Sequence, residues 1–158
     1  MTRTADVEVL ELSVQPTLTT RFEVVPEGLG DKLQSVLPAV GTYAKEIGVP
    51  VSGPPFTRVF GFDAHRGVLD VEVGLPVTRR AEGRGDIQPS ELPGGPAASV
   101  WHLGSHDGLP ETHRALLAWS MANGHPLSGA SWEIYVTDPR AEPDQSKWRT
   151  RVVLHLEP

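Results

Sequence analysis

The stretch "GVPVSGPPF" (Gly48–Phe56) is matched 76 residues later by "GHPLSGASW" (Gly124–Trp132). Glycine, proline, serine and glycine occupy the same places in both, and Phe56 corresponds to Trp132. Connections from a helix to a strand reuse Gly, Pro and Ser in unrelated proteins. The match therefore becomes informative only together with the elements that surround each copy.

Each copy lies between a predicted helix and a predicted strand. In the first half, residues 7–14 and 18–25 are β-rich and flank a turn signal, which predicts a hairpin. Apolar residues at helical spacing predict a helix over about 30–47, with Gly48 at its C-terminal cap. Strands are predicted at 56–62 and 68–77, the second from its strict alternation.

The second half repeats this order. A strand is predicted at 97–103, and Pro110 marks a helix that runs to Asn123, with Gly124 as its cap. Residues 132–137 and 148–156 are predicted to form a closing pair of strands.

We therefore predict an α+β fold made of two βαββ-type repeats related by a pseudo-twofold axis. The sheet is antiparallel, the helices cover one face, and a ligand cleft lies between the halves. The length of 158 residues fits one domain over 1–158, with a first repeat at about 7–77, a linker at about 78–95 and a second repeat at about 97–156. The alternative, a chance reuse of turn residues, stays open at this stage.

Composition excludes several classes of protein. The net charge is −6 and the longest basic run is Arg79-Arg80, so no cationic footprint for nucleic acid is present. The sequence contains no cysteine, which excludes disulfides, thiolate metal sites and cysteine nucleophiles. No apolar run is long enough for a membrane span, and the first six residues lack the apolar core of a secretory signal. We expect a cytoplasmic protein, monomeric or homodimeric, without a direct nucleic-acid or membrane partner.

The strand "SWEIYVTD" is where chemistry is most plausible. Alternation places Trp132 and Ile134 on one face and Glu133 and Tyr135 on the other. The apolar face is expected to pack under the helices. The second face is then either the solvent side of a half-buried sheet or the wall of a cavity, where Glu133 would attract a lipophilic cation or activate a water.

Other polar clusters fit no mechanism. Ser105, His106 and Asp107 are consecutive, so their side chains do not converge as a catalytic relay. His102, His106 and His113 have no spacing that fixes a metal. We expect neither a metal nor a cofactor.

Five segments occur here in the order typical of GyrI-like small-molecule-binding domains, which also form the effector-binding half of multidrug-sensing transcription activators. They are "GPPFTRVFGFD", "LDVEVGLPV", "ELPGGPAASVWHLGSHDGL", "LLAWSMANGHPLSGASWEIYVTDP" and "WRTRVVLHL". The resemblance covers about residues 7–156. It implies a duplicated βαββ fold with a ligand cleft, in which a glutamate followed by a tyrosine, here Glu133 and Tyr135, meets cationic aromatic compounds. Since no helix-turn-helix segment precedes the first strand, we expect a free-standing domain.

Two positions depart from the family pattern. Gly104-Ser105-His106 stands where the family often has Gly-Pro-Tyr, and Val59 stands where it often has tyrosine. Losing both rings changes which ligands fit. The predicted ligand-binding residues are Glu133, Tyr135, Trp101, His106, Phe56, Phe60 and Trp148.

The resemblance implies three functions that the sequence separates poorly. The first is a module that binds amphipathic aromatic, in some members cationic, compounds for sensing or sequestration. The second is a hydrolase that opens cyclopropane rings of DNA-alkylating natural products, with Glu133 and Tyr135 as the catalytic residues. The third, a protein-partner role such as gyrase inhibition, has no exposed apolar helix to support it.

Overall fold

The computed structural model describes residues 6–158; residues 1–5, on which the expected lack of a secretory signal mainly rests, lie outside the described part. Strands and helices both occur, so the predicted α+β class is confirmed. In chain order the elements are β1 (Glu8–Leu12), β2 (Gln15–Val24), α1 (Leu29–Glu46), β3 (Phe56–Asp63), β4 (Val68–Pro76), β5 (Gln88–Leu92), β6 (Gly95–Leu103), α2 (Leu109–Ala122), β7 (Leu127–Tyr135) and β8 (Arg149–Leu156).

The chain divides into two compact units. The N-terminal unit, Val14–Pro93, holds β2, α1, β3, β4 and β5. The C-terminal unit, Gly94–Pro158 with the segment that ends at Ser13, holds β1, β6, α2, β7 and β8.

Both units have the same antiparallel strand order. In the N-terminal unit the order is β3-β4-β2-β5, and in the C-terminal unit it is β7-β8-β6-β1. In each unit a helix follows the third strand of this order and packs against the sheet. Each unit thus has the strand, helix, strand, strand sequence that the repeat predicted, plus one edge strand.

Both helices end in the same closing motif. Gly48 and Gly124 have a φ of 72°, the left-handed conformation that glycine adopts without strain. The N–H of Val49 donates to the carbonyl of Ala44, and the N–H of His125 donates to that of Ser120, each across a Schellman motif. The glycine that begins each matched stretch therefore ends its helix with the same backbone geometry.

The two helices differ in length at their beginnings. Gly28 precedes α1 and Gly108 precedes α2, an offset of 80 residues, whereas the closing glycines are offset by 76. Helix α1 is 18 residues long and α2 is 14, so α1 contains one additional turn. Pro38 lies inside α1, where it removes the hydrogen bond to the carbonyl of Gln34.

The core of the N-terminal unit lies between α1 and the sheet. Val40 and Ala44 of α1 are fully buried against Leu18 of β2 and Val77, which follows β4. Burying a valine or leucine side chain contributes about 1.5–3 kcal/mol, and the methyl group of an alanine less. The strict alternation of β4 predicted this arrangement correctly, since Val71 and Val73 are also fully buried.

Two predicted connections were wrong. The strands at 7–14 and 18–25 do not form a hairpin: β1 pairs with β6, whereas β2 pairs with β4 and β5. The interval 78–95, predicted to be a linker, contains β5. A turn signal is local, whereas strand pairing is decided by the whole sheet, and Pro16 of the supposed turn is itself part of β2.

Candidate functional site

Strand β7 presents Glu133 to helix α2. Its neighbours across the sheet are Val152 on β8 and, through β8, Val100 on β6. His113 of α2 lies in hydrogen-bond contact with Glu133, so this is the face that the helix covers. The prediction that Trp132 and Ile134 pack under the helices was therefore wrong.

The cause is burial on both faces of the sheet. Trp132 and Val153 point away from α2 and are 2% and 4% exposed, while Val152 points towards it and is fully buried. When both faces are buried, the hydropathy of alternate residues does not show which face carries the helix.

A buried carboxylate and an imidazole form the centre of the site. Glu133 Oε1 lies 3.0 Å from His113 Nε2, and the two side chains are 11% and 25% exposed. A carboxylate only accepts hydrogen bonds, so His113 Nε2 donates. Burial of a charge is costly unless it is paired, and this contact supplies the partner of Glu133.

Three rings lie together beside this pair. The imidazole of His106 is 5.3 Å from the ring of Tyr135 and 5.0 Å from that of Trp148, with interplanar angles of 42° and 47°. These separations are typical of aromatic contacts. Tyr135 shares the helix-facing side of β7 with Glu133, so a carboxylate and aromatic rings line one side of the sheet.

The backbone around His106 is fixed from both sides. The N–H of Gly104 donates to the carbonyl of Trp148 at 2.8 Å, and His102 Nε2 donates to the carbonyl of Ser105 at 2.8 Å. Gly108 ends the turn, where a Cβ would lie 2.9 Å from Cε1 of His102. Gly104-Ser105-His106, which stands where the family often has Gly-Pro-Tyr, is thus a turn held by hydrogen bonds, and it places His106 against Trp148.

Burial lowers the pKa of His106 below the ordinary histidine range, and the carboxylate of Glu133 opposes part of this shift. His102 lowers the same pKa and Asp107 raises it, both less strongly than burial acts. His106 is therefore neutral at neutral pH and presents an uncharged ring.

Thr150 adds a polar group that sequence reasoning missed. It lies on β8 between Tyr135 and His102 in the strand register, it is fully buried, and its Oγ1 has no hydrogen-bond partner among the described residues. An unpaired buried hydroxyl is costly. A ligand or a water in the site would satisfy it.

Trp101 is not part of this cluster. Its cross-strand neighbour is Arg151, so it lies on the face of the sheet opposite Glu133. The guanidinium carbons of Arg149 and Arg151 lie 4.2 and 4.8 Å from its ring centroid. Its ring already contacts two cations, and the predicted role in ligand binding stays a prediction.

Phe56 and Phe60 belong to the N-terminal unit. Phe56 is 1% exposed and is part of the packing, as its counterpart Trp132 is. Phe60 is 38% exposed and lies under the guanidinium groups of Arg21 and Arg58, at 3.8 and 4.8 Å. The ligand-binding role predicted for Phe56 and Phe60 therefore stays a prediction.

His113 is the main residue that sequence reasoning missed. It occupies the apolar stripe of α2 with Leu109, Leu116 and Ser120, all of which are buried. The sequence does contain a signal for this pair. His113 is a titratable side chain within the apolar stripe of a helix, and the strand that follows this helix carries the carboxylate of Glu133.

Two other features are absent from residues 6–158. No group of three or more His, Asp or Glu side chains has the arrangement of a metal site there. No helix in that range is both long and apolar enough to cross a membrane.

The sequence profile of the GyrI-like small molecule binding domain matches residues 6–157. The chain belongs to this GyrI-like family. Of the two residues that the resemblance singled out, Tyr135 contacts the ring of His106, which in turn contacts Trp148, and Glu133 lies on the same face of β7 as Tyr135. A search of the curated proteins finds no significant match.

Solved structures of low sequence identity share the GyrI-like fold. The crystal structure of the EcmrR C-terminal domain has a TM-score of 0.83 at 22% identity, with 96% of each chain covered. The chain spans 57% of the EcmrR chain in a cryo-EM structure of its complex with DNA. A hydrolase from Listeria innocua has a TM-score of 0.68 at 14% identity, covering 96% of this chain and 92% of its own.

A third protein with this fold is SAV2435, whose structure is bound to tetraphenylphosphonium. It has a TM-score of 0.58 at 5% identity, covering 96% of this chain and 93% of its own. At these identities the likeness to all three proteins concerns the fold.

Proposed function

We propose that this GyrI-like chain binds amphipathic aromatic small molecules, with a preference for cations, at the site formed by Glu133, His106, Tyr135 and Trp148. The observation that carries the proposal is a buried carboxylate beside three rings on the helix-facing side of one sheet. The biological role would be sensing or sequestration of toxic compounds.

The charge of Glu133 supplies selectivity for cations. Its carboxylate is 11% exposed, so water screens it poorly, and its described partner is one imidazole. A delocalised cation brings a positive charge without the tightly held hydration shell of an ammonium group. A cation of this kind can approach the carboxylate at a small desolvation cost.

The rings of His106, Tyr135 and Trp148 supply shape-tolerant contact. Their tilted arrangement offers faces and edges to an aromatic ligand instead of one narrow slot. Trp148 is held by a hydrogen bond from its Nε1 to the carbonyl of Glu142 at 2.7 Å, so the indole is ordered before a ligand arrives. The tetraphenylphosphonium named for SAV2435 is a suitable first probe, since it combines one positive charge with four phenyl rings.

The test is a titration with tetraphenylphosphonium, in which binding is measured by tryptophan fluorescence and by calorimetry. Replacing Glu133 by Gln removes the charge and keeps an oxygen that accepts from His113. At about 6 Å and an effective dielectric constant of about 20, the lost attraction is about 2–3 kcal/mol. That energy corresponds to a loss of affinity of about 30- to 150-fold.

Two controls distinguish the effect of the charge at Glu133 from the effect of the net charge of the protein. Glu111→Gln removes the same formal charge from an exposed position in the first turn of α2 and should leave the affinity unchanged. Triphenylphosphine oxide, an aromatic probe without net charge, should bind Glu133→Gln and the parent protein equally. Equal affinity of the parent and Glu133→Gln for tetraphenylphosphonium would refute the proposal.

A second candidate function is hydrolysis of a strained ring, favoured by the unpartnered hydroxyl of Thr150. This group lies on the same face as Glu133, two pairs further along the strand register, where it could hold a water. Glu133 would take a proton from that water while the oxygen of the water bonds to a cyclopropane carbon. The ring C–C bond breaks, and the carbon that keeps its electron pair then takes the proton from Glu133. Tyr135 and Trp148 would hold the substrate, and the Listeria innocua hydrolase shares the fold.

Incubation with cyclopropane-bearing alkylators distinguishes the two functions. A hydrolase converts them to a product with one added water, detected by mass spectrometry, and loses this activity in Glu133→Gln and Thr150→Val. A binding module gives no turnover, while tetraphenylphosphonium affinity still depends on Glu133.

A further inference from the structure

A second pair of polar side chains lies at the start of β7, on residues that the site around Glu133 does not use. Ser128 Oγ is 2.6 Å from Nδ1 of His155, and Nε2 of His155 is 2.7 Å from the carbonyl oxygen of Gly94. His155 pairs with Ala97 across β6, and its position on β8 places it on the face of the sheet opposite Glu133.

We propose that Ser128 is a nucleophile activated by His155, in a site that accepts acyl groups from small activated esters. This activity is independent of the proposed binding function, because it involves neither Glu133 nor the rings beside it.

The hydrogen bonds of His155 determine which nitrogen carries the proton. The carbonyl of Gly94 only accepts, so Nε2 is the protonated nitrogen. In the neutral ring Nδ1 then has a lone pair, and the short contact to Ser128 Oγ is a hydrogen bond that the serine donates. The carbonyl of Gly94 thus orients the imidazole, as a carboxylate does in a catalytic triad.

The two residues differ in exposure in the way that a nucleophile and its base require. His155 is 9% exposed, whereas Ser128 is exposed. The pairing of β7 with β8 shifts register between Leu127 and Ser131, so Ser128 lies where the regular ladder is interrupted. Interruptions of a ladder, bulges among them, redirect side chains and are frequent next to functional sites.

Two further contacts of Ser128 Oγ bear on its reactivity. The N–H of Ala130 donates to it at 3.3 Å, which would stabilise negative charge that develops on the oxygen. The carbonyl oxygen of His155 lies 3.2 Å away and competes for the hydroxyl proton, but the contact to Nδ1 is shorter.

The reaction balances without a cofactor. Ser128 Oγ bonds to the carbonyl carbon of the ester, its proton moves to Nδ1 of His155, and the alkoxide leaves and takes that proton. Water then attacks the acyl-serine with the same base, releases the carboxylic acid and restores the hydroxyl.

The experiment uses a fluorophosphonate probe, which forms a P–O bond with an activated serine and releases fluoride, followed by peptide mass spectrometry on the full chain. Because the sequence contains no cysteine, no thiol competes for the probe. Ser146 is a matched control, since its Oγ is exposed and bonds to Asp144 Oδ1 at 2.7 Å, a carboxylate instead of an imidazole.

The expected result is an adduct on Ser128 and none on Ser146. Ser128→Ala abolishes the adduct, and His155→Gln slows its formation by about 100-fold or more, the usual contribution of a general base. Hydrolysis of p-nitrophenyl acetate should fall in the same two variants and persist in Ser146→Ala.

Labelling of Ser128 no faster than that of Ser146, or ester hydrolysis unchanged in Ser128→Ala, would overturn the proposal. Because Ser128 is exposed, this variant keeps the fold, which thermal unfolding verifies. The result from Ser128→Ala therefore decides the matter even if His155→Gln unfolds.

Discussion

Replacing His113 by Leu should make the protein less stable and its affinity for cations higher. The reason is the contact of 3.0 Å between His113 Nε2 and Glu133 Oε1, in which the imidazole satisfies a carboxylate that is 11% exposed. Leucine fills similar space in the apolar stripe of α2 beside Leu109 and Leu116, both buried, but donates no hydrogen bond. The carboxylate is left without its described partner.

The size of both effects follows from one hydrogen bond to a charged group, which contributes about 1.5–3 kcal/mol. The free energy of unfolding should fall by about this amount, which for a chain of this length lowers Tm by about 3–12 °C. A bound cation replaces the missing partner, so the affinity for tetraphenylphosphonium should rise by about 10- to 150-fold.

Calorimetric titration and thermal unfolding of the same preparations measure the two effects. His125→Leu is the matched control: it removes another histidine near α2, one that stacks on Trp119 at 5.5 Å and does not contact Glu133. In a Glu133→Gln background, His113→Leu should change cation affinity by less than about twofold, since the charge that the imidazole balances has gone.

A fall in affinity would refute this reasoning. If His113→Leu bound tetraphenylphosphonium more weakly, the imidazole would be part of what the ligand recognises. If affinity stayed the same while stability fell, the charge of Glu133 would not reach the ligand at all.

Three further predictions concern the turn and the sheet around the site. The pKa of His106 is lowered by burial, so the folded state binds this proton less readily than the unfolded state does. Stability should therefore decrease as pH falls through about 6.5, the pKa of an unperturbed histidine. His106→Gln should remove that part of the decrease in Tm. Gly108→Ala should destabilise the protein by about 1–3 kcal/mol in urea unfolding, because the new Cβ would lie 2.9 Å from His102, whereas alanine at Gly30, where nothing lies within 4 Å, should not destabilise it. Thr150→Val should leave stability unchanged or raise it by about 1 kcal/mol, because it removes a buried hydroxyl without a described partner; a clear loss of stability would mean that this hydroxyl is satisfied.

The helices were predictable because local signals agree with the tertiary structure. Apolar residues at helical spacing and a glycine after the last turn predicted α1 at about 30–47, and it spans Leu29–Glu46. The alternation of β4 likewise identified its apolar face, on which Val71 and Val73 are fully buried, although Glu72 on the other face is buried as well. In these segments the local pattern and the packing indicate the same structure.

The strand pairing and the orientation of Glu133 were not predictable in the same way. Gln15-Pro16-Thr17 has the composition of a turn, yet β1 and β2 pair with different partners, because pairing depends on residues distant in sequence. The side that Glu133 faces depends on which side of a doubly buried sheet the helix covers. That information lies in α2, where His113 interrupts the apolar stripe.

The contact between His113 and Glu133 also limits what kind of function the site can have. An unoccupied site must hold a buried carboxylate at a tolerable cost, and the imidazole provides the means. A cation that enters must compete with or share that partner, so part of its electrostatic attraction is already offset before it binds. If the chain binds cations as proposed, this competition lowers its affinity for them. A hydrolase needs the same carboxylate to accept a proton from water, and for that step a donor held at 3.0 Å is a hindrance unless the substrate displaces it.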